Sequence, residues 1–306
     1  MEFTVNKQHL TQGLYKAQGV VDKKSTLNIL SHVLIESISE SEVRFTCTDY
    51  DVVLTGRYPA EVGKPGRIAV GAKNLFDVVK ALPDKPIHLT GLDNHWVELK
   101  CGSSRFKLAG LSPDDFPDQP EPEGLEFTNV PKRLILDMVD RTLFSVSHDE
   151  TRPSLNGVYF RMVKEEDELR MLMVSTDGHR LSKSEVLGGD GSNFDKAAEA
   201  ILHHKAISEL RRSLEGTDTD TRIAFRRGNV YFANDEVMLQ VRELDETFPD
   251  YTKVIPKTNQ TNIELNRTEL TAAIRRIATL TSSKTNIIRI DIETGRLVMT
   301  SQNPDA

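Results

Sequence analysis

Two short segments hold the residue types that acid–base catalysis uses: Thr176-Asp177-Gly178-His179-Arg180 and, upstream, Ser147-His148-Asp149. A carboxylate beside an imidazole could move protons at neutral pH. The position argues otherwise. Asp177-Gly178 falls where an earlier stretch of similar pattern has Asp49-Tyr50, so a strand-to-strand turn is expected there and no catalytic residue is assigned. Other reactive patterns are missing too. There is no Gly-x-x-x-x-Gly-Lys-Ser/Thr, no Gly-x-Gly-x-x-Gly after a strand and no Gly-x-Ser-x-Gly. The histidines form no His-x-x-x-His or His-Glu-x-x-His pair, and the adjacent His203 and His204 diverge around their helix, so neither a metal nor a cofactor is expected. Gly188-Gly189-Asp190-Gly191 reads as a turn in an acidic loop.

The elements that must position these residues come in repeats. Asp115-Phe116-Pro117-Asp118 returns as Thr247-Phe248-Pro249-Asp250, each after an alternating strand, Arg105-Phe106-Lys107-Leu108 and Met238-Leu239-Gln240-Val241. Glu2–Val5, Glu126–Thr128 and Asn262–Leu265 each read as a strand running into a helix. Strand pairs then end in the polar turns Thr46–Asp49, Val174–Asp177 and Thr300–Asn303. Apolar spacing predicts helices over 6–19, 72–82, 131–145, 203–214 and 266–279, with Leu10, Leu14, Ala17 and Val21 on one face and Leu270, Ala273, Ile274 and Ile277 on another. Alternation predicts strands at Val43–Thr46, Val158–Arg161, Val230–Phe232 and Ile287–Ile292. The fold class is α+β with antiparallel sheet, in three repeated domains: 1–124, 125–256 and 257–306. The third copy is short, and a truncated domain is the expectation.

The 306 residues carry a formal charge of −7, unevenly distributed. The five predicted helices hold +8 between them and every one is positive, leaving −15 for the rest. If the repeats place all five on one side, that face is basic and would attract phosphates without reading sequence. The two cysteines, Cys47 and Cys101, exclude a disulfide scaffold and fit a cytoplasmic setting. No apolar run approaches the length of a membrane span, so no membrane partner is expected.

Leu155-Asn156-Gly157, Ser175–Leu181, Phe248–Tyr251 and Ser104-Arg105-Phe106, taken with the threefold repeat, closely resemble the bacterial DNA sliding clamps, the beta subunits of DNA polymerase III. The resemblance spans essentially the whole chain. It implies a DNA-clamp fold with helices lining a hole and antiparallel sheets outside, and a head-to-tail homodimer ring around duplex DNA that confers processivity without catalysis. It also implies a groove for short motifs of the polymerase III catalytic subunit, the clamp loader, other polymerases and repair proteins. The matching groove positions are Leu155, Thr176, Gly178, His179, Arg180, Leu181, Pro249, Lys253 and Val254. Lys253 stands where relatives often have Arg, which removes a planar donor fork. For DNA the match points to Lys24, Lys73 and Arg152, with Arg105 a further candidate; Lys205, Arg211, Arg275 and Arg276 come from the charge count alone. The family's Met-Pro-Met-rich C-terminal segment and most of the second half of its third domain have no counterpart in the sequence. An open or monomeric DNA-binding scaffold is therefore the alternative.

Overall fold

The computed structural model describes residues 1–22, 25–119, 123–166, 168–190, 194, 197–258, 262–279 and 287–301. They fall into two compact units, Met1–Pro249 and Asp250–Ala306. The first unit opens with β1 (Glu2–Val5) and α1 (Lys7–Val20), where the Asn6 side chain accepts the Gln8 N–H and caps the helix. Next come β2 (His32–Ser39), β3 (Glu42–Thr48), β4 (Val52–Lys64), β5 (Arg67–Gly71) and α2 (Ala72–Ala81). The first repeat closes with β6 (Ile87–Gly91), β7 (Val97–Cys101), β8 (Ser104–Leu108) and β9 (Gly110–Leu111). The second runs through β10 (Thr128–Val130), α3 (Lys132–Thr142), β11 (Gly157–Glu165), β12 (Glu168–Thr176), β13 (Leu181–Asp190), β14 (Ala198–His203), α4 (His204–Ser213), β15 (Thr221–Arg226), β16 (Asn229–Ala233) and β17 (Val237–Arg242).

The helices lie within three residues of the bounds expected from apolar spacing. Leu10, Leu14, Ala17 and Val20 of α1, Leu75 and Val79 of α2, Ile135, Met138 and Val139 of α3, and Ala206, Ile207 and Leu210 of α4 are buried. They meet the inward side chains of the strands, such as Phe3, Ile35, Phe45, Phe160 and Leu239, in one apolar cluster. Each fully buried aliphatic or aromatic side chain there contributes about 1.5–3 kcal/mol by leaving water.

The two repeats are joined edge to edge. Val52–Gly56 of β4 pairs antiparallel with Val237–Val241 of β17, and one sheet path runs β10-β15-β16-β17-β4-β1-β6-β7-β8. On the helical side α1 meets α4 at Gly19. A Cβ there would stand 1.8 Å from Glu209 Oε2 and 2.1 Å from Arg212 Nη1, so glycine lets these two side-chain ends close over α1 without shifting. The strands β13-β12-β11-β14 form a separate four-stranded sheet. Gly188 and Gly189, expected in a loop, instead end β13 at a register shift against β12, with φ of 148° and 100°. Gly191 and Ser192 lie outside the described residues.

The second unit contains α5 (Arg267–Ala278) and the hairpin of β18 (Arg289–Glu293) with β19 (Arg296–Thr300). Asn266 caps α5 by accepting the N–H groups of Thr268 and Glu269. The expected strand at Asn262–Leu265 does not form, and the strand expected from Ile287 starts at Arg289. No residue of α5 is fully buried: Leu270, Ala273 and Ile277 are half-buried, while Ile274 is exposed. Gln302 and Asn303 of the expected polar turn lie outside the described residues.

Candidate functional site

The segment Thr176–Leu181 is a closed turn between β12 and β13. The Thr176 hydroxyl donates to the Arg180 carbonyl at 2.7 Å and accepts the Gly178 N–H at 3.0 Å. Asp177 Oδ1 accepts the N–H groups of His179 at 2.9 Å and Arg180 at 3.0 Å, and its Oδ2 accepts Arg180 Nε at 3.0 Å. Gly178 sits at φ +88°, a left-handed conformation that glycine adopts without strain. The backbone donors, His179 first, hold the Asp177 carboxyl below the usual carboxylate range. Asp177 therefore serves as a fixed acceptor for its own turn, as the sequence pattern anticipates.

His148 is engaged elsewhere. Its ring meets His204 edge-on with centroids 4.6 Å apart, and His203 lies 4.2 Å from His204. Burial pushes His204 down to about 4. His203 also falls by burial, and its Nδ1 accepts the Lys205 N–H at the start of α4. Among the described residues no group of three or more His, Cys, Asp or Glu side chains is disposed to hold a metal ion.

The short run Ser145–Ser147 links the Leu155 turn to the start of β13. Ser145 Oγ and Ser182 Oγ are 2.7 Å apart, and the Ser147 N–H donates to the Leu155 carbonyl at 3.0 Å. Leu155 and Leu181 are each half-buried, with surface to offer, while Gly178, His179 and Arg180 are exposed. Pro249 is exposed too; the preceding Phe248 stacks on Tyr159 with centroids 5.4 Å apart, which fixes the chain there. Arg152 is also at this turn, since a Cβ on Gly178 would stand 3.2 Å from its Nη1. Its guanidinium lies 3.7 Å from Asp149. Lys253 and Val254 belong to the second unit, where Lys253 Nζ lies 3.2 Å from Asp250 and Val254 is exposed.

The residues expected on DNA divide by what already holds them. Lys24 lies outside the described residues. Lys73 is exposed on α2, and Arg275 and Arg276 are exposed in the last turn of α5. Arg105 is in β8, bonded through Nε to Glu98 at 2.7 Å. Arg211 reaches Asp140 and Glu215, both at 2.8 Å. Lys205 is half-buried and donates to the Asp49 carboxylate and the Val20 carbonyl. Its ammonium joins the two repeats, a use the charge count did not anticipate.

Other helix cations also turn inward. Lys16 is 2% exposed and bonds Glu236 at 2.7 Å, Lys7 donates to the Leu82 carbonyl, and Lys132 to that of Thr217. Part of the helical charge surplus thus fastens the fold. Sequence spacing gave no sign of two cation–aromatic pairs, Arg180 over Phe144 at 5.8 Å and Arg212 over Tyr15 at 5.6 Å. It also missed a cavity of about 880 Å³ at the β4–β17 seam, lined by Val53, Phe116, Pro117, Phe127, Arg222 and Met238 among others.

Family models of the DNA polymerase III beta subunit match end to end: the N-terminal domain over residues 1–120, the central domain over 129–250 and the C-terminal domain over 252–306. The beta sliding clamp of Caulobacter vibrioides is 30% identical, the match covering 100% of this chain and 82% of the relative. That of Escherichia coli is 29% identical, with 100% and 81% covered. The crystal structure of the Bacillus subtilis sliding clamp superposes with a TM-score of 0.89 at 27% identity, covering 100% of this chain and 81% of that one. A sliding clamp from Bartonella birtlesii, solved bound to griselimycin, gives 0.88 at 30% identity, with 100% and 82% covered.

Proposed function

The chain belongs to the DNA polymerase III beta subunit family, and from that premise we propose that it is a processivity clamp: two copies, head to tail, close a ring around duplex DNA and tether the replicative polymerase. It acts in the cytoplasm, at the replicating nucleoid, and works by topology rather than by catalysis. The observation that carries this reading is the joint between the repeats. β4 of the first repeat pairs with β17 of the second, and β8 holds in the first repeat the place that β17 holds in the second. β8 ends the sheet path, so a strand from a second copy has an edge on which to repeat the joint.

The DNA-facing cations in this reading are Lys24, Lys73, Arg152, Arg211, Arg275 and Arg276, with Arg105 at the sheet edge and Lys205 contributing charge from the helix seam. Contacts of this kind are weak, numerous and indifferent to base sequence, as sliding requires. The partner groove in this reading comprises Leu155, Thr176, Gly178, His179, Arg180, Leu181 and Pro249; Lys253 and Val254 are assigned to it by the family resemblance alone. Its half-buried leucines suit an aliphatic or aromatic peptide anchor, and its occupants are motifs of the polymerase III catalytic subunit, the clamp loader, other polymerases and repair proteins.

Retention on nicked circular duplex, against the same DNA linearised, tests the ring. After loading, the protein stays on the circle through gel filtration at moderate salt and is lost on linearisation. Equal retention on both forms removes encirclement and leaves the second reading, an open or monomeric DNA-binding scaffold. Lys73→Glu lowers affinity for every DNA sequence alike and reduces the slope of log K against log salt by about 1. A slope equal to wild type removes Lys73 from the interface.

A further inference from the structure

The groove's Arg180 is held on two sides, and only one of them belongs to its own turn. Asp177 Oδ2 accepts Arg180 Nε at 3.0 Å. On the other side, the guanidinium carbon stands 5.8 Å from the centre of the Phe144 ring. Phe144 lies in the short 3-10 turn Leu143–Ser145 that follows α3, and it is 59% exposed. Its neighbours fix that turn rigidly. Ser145 is fully buried and bonds Ser182 at 2.7 Å, and Ser175 donates to the Thr142 carbonyl at 2.6 Å. A single exposed aromatic is ordinary in itself. This one is distinguished by its rigid mounting against the groove strands and by the cation over its face.

We infer that Phe144 is a positioning residue of the partner groove, a π-face against which Arg180 is set so that its terminal nitrogens meet a carboxylate of the bound peptide beside that peptide's apolar anchor. The inference rests on the peptide-groove reading. With Nε taken by Asp177, the two Nη groups have no hydrogen-bond partner among the described residues and keep their donors for a ligand. A guanidinium prefers carboxylate, which it binds through a planar fork, and fixing the plane beforehand reduces the ordering cost on binding. The preference expected of the ligand is therefore a carboxylate over its amide beside the apolar anchor.

The test uses the full chain and two fluorescent synthetic heptapeptides, each with a Leu-Phe anchor and identical except for one Asp or Asn beside it. Wild type binds the Asp peptide about two- to fivefold more tightly, the range expected of an exposed cation–π-supported ion pair. Phe144→Ala and Phe144→Leu lose that preference while holding Asn-peptide affinity within about twofold. Phe144→Tyr and Phe144→Trp, which restore a π-face, keep it. Arg180→Ala abolishes the preference in every background. Preference retained in Phe144→Leu, or an equal loss of both peptides in Phe144→Ala, overturns the positioning role. Binding of neither peptide by folded wild type removes the groove reading itself, and this inference with it.

Discussion

At the scale of single residues, the most consequential side chain is one whose charge suggested a different place. Lys16 is 2% exposed, and its ammonium is neutralised by Glu236, which is 38% exposed and also accepts Gln12 Nε2 at 2.9 Å. The two ends of this pair are not equivalent. Removing the carboxylate strands a buried cation, whereas removing the lysine leaves a carboxylate that still reaches water and Gln12. Glu236→Ala therefore costs about 3 kcal/mol of unfolding free energy, the lower end for a broken buried pair because Glu236 is partly hydrated, and Lys16→Met costs less than half of that. Urea unfolding of both variants checks the order; equal losses would mean that Lys16 finds water in the folded state. Lys16 illustrates what the sequence conveys. That α1 is amphipathic was legible from Leu10, Leu14 and Ala17. That Lys16 falls on the buried side was not, because its partner lies 220 residues away on a turn of the next repeat. The Asp177 turn was legible because its bonds are local, all within four residues.

At the scale of elements, α4 concentrates what periodicity cannot specify. Its bounds and apolar face follow from spacing, yet its N-terminus carries His203 and His204 against His148, with Asp49, Asp51 and Lys205 close by. Burial first, then His203 and His148, bring His204 down from 6.5 to about 4. The unfolded chain takes up this proton at higher pH than the folded chain does. The contribution is thus intact above about pH 6.5, is lost progressively as pH falls toward 4, and changes no further once both states are protonated. Glu209, four residues after Lys205, is shifted the opposite way: burial raises its carboxyl, so its ionisation weakens the fold as pH rises. Comparing variants separates the two. The fall in Tm from pH 7 to pH 5 is smaller in His204→Gln than in wild type, and smaller by about as much in a Glu209→Gln background. An identical fall in His204→Gln and wild type would show that His204 is protonated in the native protein.

At the scale of the whole molecule, the repeat was legible and its joints were not. The returns of Phe-Pro-Asp and of the strand–turn–strand units mark the copies, but no local pattern tells that β4 extends through 13 residues to serve β3, β17 and β1 at once. Strand pairing across repeats is a long-range contact, set by edges that match only after each layer has folded. The same logic applies to the proposed addition of a second copy. β8 ends the sheet path, and Phe106 at its centre is 40% exposed. An exposed apolar residue on a strand edge invites another strand, and natural monomers avoid it with charge. Phe106→Lys should therefore weaken self-association at least tenfold in sedimentation equilibrium while leaving the Tm of the dissociated chain unchanged, since Phe106 contributes little to the core of its own unit. It should also shorten residence on circular DNA, because the proposed joint between copies is weakened. Loss of residence with self-association intact would place Phe106 on the DNA path, and unchanged behaviour in both assays would move the joint between copies away from β8.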